Sequence, residues 1–276
     1  MKINSSEYAL MRKYIEEHCG IRLEKGKEYL IESRLTDLVV ENGCGSFKAF
    51  YEKAASDNSG KLRDRIVDAM TTNETLFFRD KSTWQYLREV GVPGLLDKAE
   101  KGNRVRVWSA AASTGQEAYS LLMLLNDGAN ERKKPHLLDK IEILGTDIST
   151  SALFLAIAGR YDSMAMSRGT TPETKERYFT KTGNVWEFDR QLKKRVTFRQ
   201  FNLQNNFVSL GTFDLILCRY VAIYFSEDFK RRLFSKMFRA LNSKGVLLLG
   251  ATESLRGFSN EFRISYYKDA VINEKP

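Results

Sequence analysis

The residues best placed to do chemistry lie just after two strongly apolar segments. Residues 109–117 (SAAASTGQE) follow the first segment, and Asp147 follows the second, residues 141–146 (IEILGT). Small residues let a ligand approach the backbone in front of a helix N-terminus, and an acidic side chain at a strand end is typical of binding to ribose hydroxyls. The pair indicates an adenosine-bearing ligand. Each feature has a plainer alternative, a tight packing corner for residues 109–117 and a helix cap for Asp147.

Other common chemistries have little support. The two histidines, His18 and His136, lie away from the ends of the apolar segments, so a histidine triad or general base is not expected. The three cysteines, Cys19, Cys44 and Cys218, are far apart and predict neither disulfides nor a metal site, and Cys218 sits in an apolar run typical of a buried thiol. What remains is chemistry that relies on positioning and charge. Methyl transfer from a sulfonium to a glutamate carboxylate, which is ionised at neutral pH, fits that description.

Alternating apolar segments and amphipathic helices surround these residues. The segments predict five strands, at residues 105–108, 141–146, 196–201, 213–218 and 246–250. Strands that alternate with helices predict a parallel sheet covered by helices on both faces, an α/β fold of the doubly wound, Rossmann-like kind. Ligands of such sheets bind at the carboxyl ends of the strands, which is where the residues above are placed.

The first part of the chain has a different pattern. Residues 1–80 carry four apolar stripes at helical spacing, and Asn4 followed by Glu7 is typical of a capping box. We therefore expect a small all-helical domain over residues 1–80 and an α/β domain over residues 81–276. Residues 181–195, with a turn and a basic cluster, indicate a small β-subdomain at about residues 178–197; a surface excursion without function is an equal alternative from composition alone.

Three segments resemble the chemotaxis receptor methyltransferases, which use S-adenosylmethionine to esterify glutamates of chemoreceptors. They are residues 73–80 (NETLFFRD), 108–117 (WSAAASTGQE) and 218–225 (CRYVAIYF). The resemblance extends to residues 250–253, and it implies a helical domain before a class I methyltransferase domain with a small inserted β-subdomain. It also implies that the product is a glutamyl methyl ester, formed with S-adenosylhomocysteine in sensory adaptation.

Carried over by position, the resemblance implies site residues. Arg79 is implied as catalytic because its planar guanidinium suits a substrate carboxylate, and Tyr224 as a hydrogen-bond donor beside it. The alternatives are an ion pair with Asp80 or another acid for Arg79 and core packing for Tyr224. The residues implied to contact S-adenosylmethionine are Asn73, Thr75, Arg79, Ala111, Glu117, Asp147, Ile148, Asn202, Leu203, Arg219 and Tyr220.

The chain also departs from the family pattern. Tyr220 stands where asparagine is usual, and the second helix, residues 27–38, is less basic than in other members, with Asp37 at a position often held by arginine. The β-hairpin is shorter than in members that dock on a receptor C-terminal pentapeptide. We therefore expect an enzyme that does not depend on that tether.

The net charge of +9 first suggests a nucleic-acid partner, but most of the excess lies beyond residue 160. It is more compatible with attraction to acidic receptor helices or with a solvated helix face. We expect a cytoplasmic monomer that acts on chemoreceptor methylation helices and neither binds nucleic acid nor inserts into a membrane. The alternatives are a nucleic-acid methyltransferase and a non-catalytic adenosyl-ligand scaffold.

Overall fold

Four helices form the first part of the structure, a computed structural model that describes residues 1–276. They are α1 (Ser5–Cys19), α2 (Glu28–Glu41), α3 (Phe47–Ser56) and α4 (Lys61–Met70). The capping box predicted for α1 is confirmed, because Asn4 Oδ1 accepts from the Glu7 amide at 3.0 Å and Glu7 accepts from the Asn4 amide at 3.1 Å. The helices enclose a core of their own, in which Met11, Ile31 and Phe50 are fully buried.

The rest of the chain alternates helices and strands. In chain order these elements are α5 (Lys81–Tyr86), α6 (Val92–Glu100), β1 (Val105–Ala110), α7 (Gln116–Glu131), β2 (Ile141–Asp147), α8 (Thr150–Ala158), β3 (Arg160–Asp162), α9 (Ser163–Ser167), α10 (Pro172–Tyr178), β4 (Phe179–Thr182), β5 (Val185–Phe188), α11 (Arg190–Lys193), β6 (Val196–Gln200), β7 (Phe213–Cys218), α12 (Glu227–Ala240), β8 (Leu241–Leu249), β9 (Arg263–Tyr267) and β10 (Ala270–Glu274). None of the helices is long and apolar enough to cross a membrane.

Seven strands form the main sheet, in the order β6-β2-β1-β7-β8-β10-β9. The first five are parallel, and β10 and β9 close one edge in antiparallel pairing. Val107 on β1 is paired with Ile143 on β2 and Leu215 on β7, and β1 is the middle strand of the five parallel ones. The chain order reverses between β1 and β7, which opens a crevice at the carboxyl ends of these strands. The expected doubly wound α/β fold after a helical domain is confirmed.

A second, three-stranded antiparallel sheet has the order β3-β5-β4. Strands β4 and β5 are the expected hairpin, and only Gly183 and Asn184 separate them. Two features differ from the expectation. The sheet gains β3 from an earlier part of the chain, and its strands end at Phe188, after which α11 begins. Strand β3 has only three residues, which is too short for an alternating pattern to reveal it.

Residues 71–80 connect the helical part to the sheet without forming a helix or strand. The buried ring of Phe77 packs edge-on against Tyr161 and Phe179, at centroid distances of 5.0 and 5.5 Å. Gly169, with φ of +90°, lies so close that a Cβ there would meet the Phe77 carbonyl oxygen at 1.8 Å. The segment is therefore held along the crevice by contacts from the β3–α10 region.

Candidate functional site

A cavity that is partly open to solvent lies at the carboxyl ends of β1, β2 and β7. Residues 71–79 form one wall, and the end of α1 contributes Cys19 and Ile21. The structure brings all twelve candidate residues together around this cavity. They are Asn73, Thr75, Arg79, Ala111, Glu117, Asp147, Ile148, Asn202, Leu203, Arg219, Tyr220 and Tyr224.

The loop after β1 approaches the cavity through its backbone. Ala111 and Ser113 have φ of +62° and +50°, a conformation that non-glycine residues rarely adopt and that concentrates at binding sites. The Ala112 amide donates to the Thr146 carbonyl at 2.8 Å, which ties the loop to the end of β2. At Gly115, which precedes α7, a Cβ would lie 3.2 Å from the Ala156 backbone, so the close approach of α8 requires glycine there.

Asp147 ends β2 and is buried against that loop. Its carboxylate accepts hydrogen bonds from the Ser113 amide at 2.8 Å and the Ser149 amide at 2.9 Å. Burial raises the pKa of Asp147 despite these two donors. The capping bond of α8 comes instead from Ser149, whose hydroxyl accepts from the Ala152 amide at 3.0 Å. The helix-cap alternative for Asp147 therefore does not hold, and its carboxylate retains acceptor capacity toward the cavity.

A buried arginine joins three parts of the chain behind the cavity. The Arg219 side chain is 2% exposed, and its guanidinium lies 2.7 Å from Asp80 Oδ2 and 2.9 Å from Glu117 Oε2. It also donates to the Arg79 carbonyl, and Ser109 donates to the other Glu117 oxygen at 2.7 Å. Although burial disfavours the charge of Arg219, Glu117 and Asp80 outweigh it and raise its pKa. The buried Nε of Arg219 has no partner within the protein.

Arg79 forms no ion pair, although Glu74, which is paired with Arg168, interacts with its charge at longer range. Its guanidinium stacks on Tyr220, 3.5 Å from the ring centroid, and donates to the Glu74 carbonyl at 3.1 Å. Asp80 is unavailable to it because that carboxylate already receives Arg219 and the Tyr220 hydroxyl. The alternative of an ordinary ion pair for Arg79 is therefore wrong, and the cation is presented half-buried at the cavity wall.

Tyr220 has φ of +58° and is fixed at both ends. Its amide donates to Glu253 Oε2 at 2.6 Å, and its hydroxyl, 2.6 Å from each oxygen of Asp80, donates to that carboxylate. Burial and the hydrogen bond to Asp80 raise the pKa of Tyr220. Burial acts to raise the pKa of Asp80, but Tyr220 and Arg219 together hold it below its usual value. The ring thus forms a rigid platform for Arg79.

The remaining candidates line the cavity in different ways. The Asn202 side-chain amide donates to the His18 carbonyl at 2.7 Å and so binds the end of α1. The next residue, Leu203, is buried and supplies an apolar surface to the cavity. Asn73 presents its amide within 3.5 Å of the Ser149 hydroxyl, and its carbonyl accepts from Ser113. Tyr224 lines the cavity and is half-buried, and its own backbone carbonyl accepts from the Arg22 amide at 2.8 Å.

Several wall and supporting residues were not anticipated. Asp80 and Glu253 hold Tyr220 in place, although both lie in segments that carried the resemblance. Ser113 lies in the loop that was expected at the site, but nothing in the sequence pattern indicated that Cys19 and Ile21 would face the cavity. Their roles depend on how α1 and the β1 loop are packed, which local periodicity does not report.

Comparisons with known proteins identify one family. Residues 73–271 match the family model described as "CheR methyltransferase, SAM binding domain", and residues 6–71 match "CheR methyltransferase, all-alpha domain". The chain is 39% identical over 273 residues to "Chemotaxis protein methyltransferase 1" of Pseudomonas aeruginosa, covering 99% of this chain and 98% of the relative. It is 39% identical to "Chemotaxis protein methyltransferase" of Vibrio anguillarum, covering 98% and 97%, and 36% identical to "Chemotaxis protein methyltransferase Cher2" of Pseudomonas putida, covering 99% and 98%.

The helical part and the α/β part of the chain therefore match domains of one family. The chain belongs to the CheR family and is an S-adenosylmethionine-dependent protein-glutamate methyltransferase of chemotaxis.

Proposed function

We propose that the protein methylates glutamate side chains on the cytoplasmic methylation helices of chemoreceptors, giving glutamyl methyl esters and S-adenosylhomocysteine for sensory adaptation. One observation carries the proposal: an arginine without an acidic partner, Arg79, lies in the wall of a cavity that already has the features of an adenosyl site. A cationic fork beside such a site suits an anionic substrate group, and a glutamate carboxylate matches its planar geometry.

The residues present fit the cofactor. Asp147 offers carboxylate oxygens at a strand end, where ribose hydroxyls bind in folds of this kind. Arg219 Nε is a buried donor without a partner, which suits a carboxylate such as that of the methionyl part. Glu117 accepts from Ser109 and Arg219 and has lone pairs left for the methionyl ammonium.

We assign the remaining wall residues by position. Ala111 and Ile148 flank the ribose end, and Asn73 and Thr75 face it from the opposite segment. Leu203 and the backbone beside it suit the adenine. Because the Asn202 amide is bonded to the His18 carbonyl, we assign Asn202 to shaping this segment. Tyr220 contributes through its backbone, since its hydroxyl is held by Asp80.

When bound, S-adenosylmethionine supplies an electrophilic methyl group on a sulfonium. The protein's own residues then have only to bind, orient and exclude water. Arg79 holds the two oxygens of the glutamate carboxylate at the cavity wall, and Tyr224 donates to the substrate from the rim. No general base is needed, because a glutamate with a pKa of about 4.3 is ionised at neutral pH. Rate enhancement comes from orientation and desolvation of that carboxylate.

The experiment that tests this function is transfer of labelled methyl from S-adenosylmethionine to receptor cytoplasmic fragments, followed by mild base. We expect the label to be released as methanol, because glutamyl methyl esters hydrolyse under those conditions and methylated amines do not. A receptor fragment whose modified glutamates are replaced by alanine is the control and takes up no label. Base-stable label on the fragment would contradict the proposal.

A second prediction concerns the platform under Arg79. Tyr220→Leu removes the ring and the bond to Asp80, whereas Tyr220→Phe removes only the bond. Because a cation–π contact in a partly buried site contributes up to about 2 kcal/mol, we expect Tyr220→Leu to lower kcat/KM for receptor roughly tenfold and more than Tyr220→Phe does. The Kd for S-adenosylmethionine, measured by calorimetry, should change less than about threefold. A large rise in that Kd with unchanged transfer would show that the side chain serves the cofactor instead.

We further propose that the enzyme does not depend on a receptor C-terminal pentapeptide. The support is the small sheet itself, whose β4 and β5 have four residues each and are joined by only Gly183 and Asn184. That leaves no extended loop beside the edge strand to grip a peptide. Calorimetry with free pentapeptide should show no binding at micromolar concentration. Saturable binding in that range would overturn this part of the proposal.

Three coarser features complete the proposal. We propose a cytoplasmic location, because the receptor helices to be modified are cytoplasmic. We propose a monomer, since all twelve candidate residues come from one chain. We also propose the division into residues 1–80 and 81–276, supported by the irregular segment 71–80 and by the start of α5 at Lys81.

A further inference from the structure

One lysine of α12 is bonded entirely to the segment that follows β6. The Lys236 ammonium donates to the carbonyls of Leu203, Gln204 and Asn205, at 2.6, 3.1 and 3.0 Å. An ammonium has three N–H donors, so this one segment uses all of them. These three carbonyls accept from no backbone amide, so Lys236 supplies their only hydrogen bonds within the protein.

The surroundings of Lys236 contain no compensating acid. Its ammonium lies 4.6 Å from the ring centroid of Phe207 and 5.6 Å from that of Phe229, and no carboxylate is within ion-pair distance. The charges that act on it are Arg232 and Arg239, both on α12. Burial, followed by these two cations, lowers the pKa of Lys236 to about 8. The three carbonyls therefore bind an ammonium whose charged form is disfavoured by burial and by the two neighbouring arginines.

No titratable group of the neighbouring elements offsets this arrangement. Residues 202–208 (NLQNNFV) contain no titratable side chain. The end of α1 lies behind them and carries Glu16, Glu17 and His18, none of which forms an ion pair with Lys236.

The same segment is fixed on its other side to α1. The Asn202 amide donates to the His18 carbonyl at 2.7 Å, and the Gln204 amide donates to the Glu16 carbonyl at 3.0 Å. Both carbonyls belong to the last turn of α1, and that of Glu16 also accepts from the Gly20 amide at 2.9 Å. Residues 202–205 are thus clamped between α12 and α1, with Asn202 and Leu203 facing the cavity.

We propose that Lys236 is a positioning residue for S-adenosylmethionine, which holds residues 202–205 in the shape that receives the adenine. It does not touch the cofactor and acts through the backbone that it binds. The inference rests on the proposed assignment of Leu203 to the adenine. Loss of the ammonium therefore weakens cofactor binding and leaves the methyl-transfer step at saturating cofactor nearly unchanged.

The proposal has a pH signature. A neutral amine has two N–H groups instead of three, so one carbonyl loses its donor as pH rises through about 8. Affinity for S-adenosylmethionine should fall in that range. The contribution of Lys236 to folding stability should change in the opposite direction, because the unfolded lysine binds its proton more tightly and stability rises between pH 8 and about 10.4. If Lys236 served only to stabilise the fold, affinity for S-adenosylmethionine would not fall while folding stability rises.

Calorimetry with S-adenosylmethionine tests the proposal in the full-length protein. Lys236→Met keeps the apolar stem and removes the charge, and Lys236→Arg keeps a charge that does not titrate. Lys230→Met is the matched control, because Lys230 lies on the same helix and makes no bond to residues 202–205. We expect Lys236→Met to raise Kd at pH 7 at least about tenfold, with kcat at saturating cofactor within about twofold of wild type. Lys230→Met should bind as wild type does.

The pH series gives an independent result. Between pH 7 and 9.5 the α-amino group of S-adenosylmethionine also loses its proton, so every variant should bind more weakly as pH rises. The Kd of the wild type should rise more steeply than that of Lys236→Arg. This comparison decides the question even if Lys236→Met does not fold. The proposal is overturned if Lys236→Met binds like wild type, if kcat falls as much as Kd rises, or if the wild-type Kd rises with pH no more steeply than that of Lys236→Arg. Failure of the wild type itself to bind would instead overturn the cofactor site as a whole.

Discussion

The buried ion pairs of Arg219 are the interaction on which the rest of the site depends. Removing one partner of such a group costs about 3–5 kcal/mol, because it leaves an uncompensated charge away from water. Here one guanidinium joins the end of β7 to Asp80 of the connecting segment and to Glu117 at the start of α7. These contacts hold the connecting segment against the crevice. They also occupy Asp80, and this leaves Arg79, the next residue along the chain, without an acid.

The adjacent residues Arg79 and Asp80 have different surroundings. Asp80, with φ of +68°, directs its carboxylate inward to Arg219 and Tyr220, whereas Arg79 lies over the Tyr220 ring at the cavity wall. Tyr220 replaces the asparagine usual in the resembled family and serves both residues, as a hydrogen-bond donor and as a platform. This departure from the family pattern therefore supports the arginine that we propose binds the substrate carboxylate.

Much of this could be predicted from the sequence because it follows local rules. The strand ends gave the position of Asp147, the small-residue run indicated a close backbone approach, and the resemblance located the cavity residues. The partners of those residues could not be predicted, since Arg219 and Asp80 are 139 positions apart and Asn202 and His18 are 184 apart. Strands β9 and β10 were also missed, because their short, mixed sequences (RISYY and AVINE) show no clear alternation.

The basic residues of the C-terminal part do not all have the same surroundings. The charge run on α12 suggested a solvated face or attraction to acidic helices, and Arg232 and Arg239 remain compatible with both. Lys236 between them is different, because all its donors face the protein. A count of charges along the chain does not distinguish a lysine that attracts a partner from one that shapes a loop. Burial and hydrogen bonding make that distinction.

The central claim is that Arg79 is kept free to bind the carboxylate of the substrate glutamate. A double-mutant cycle on binding of a receptor fragment tests it most directly, with the enzyme saturated with S-adenosylhomocysteine. The cycle combines Arg79→Ala in the enzyme with glutamate-to-glutamine changes at the modified sites of the fragment. Arg168→Ala, which alters a neighbouring arginine paired with Glu74, provides the control cycle. The account predicts a coupling energy of at least about 1.5 kcal/mol for Arg79 and close to zero for Arg168. No coupling in the Arg79 cycle would contradict it.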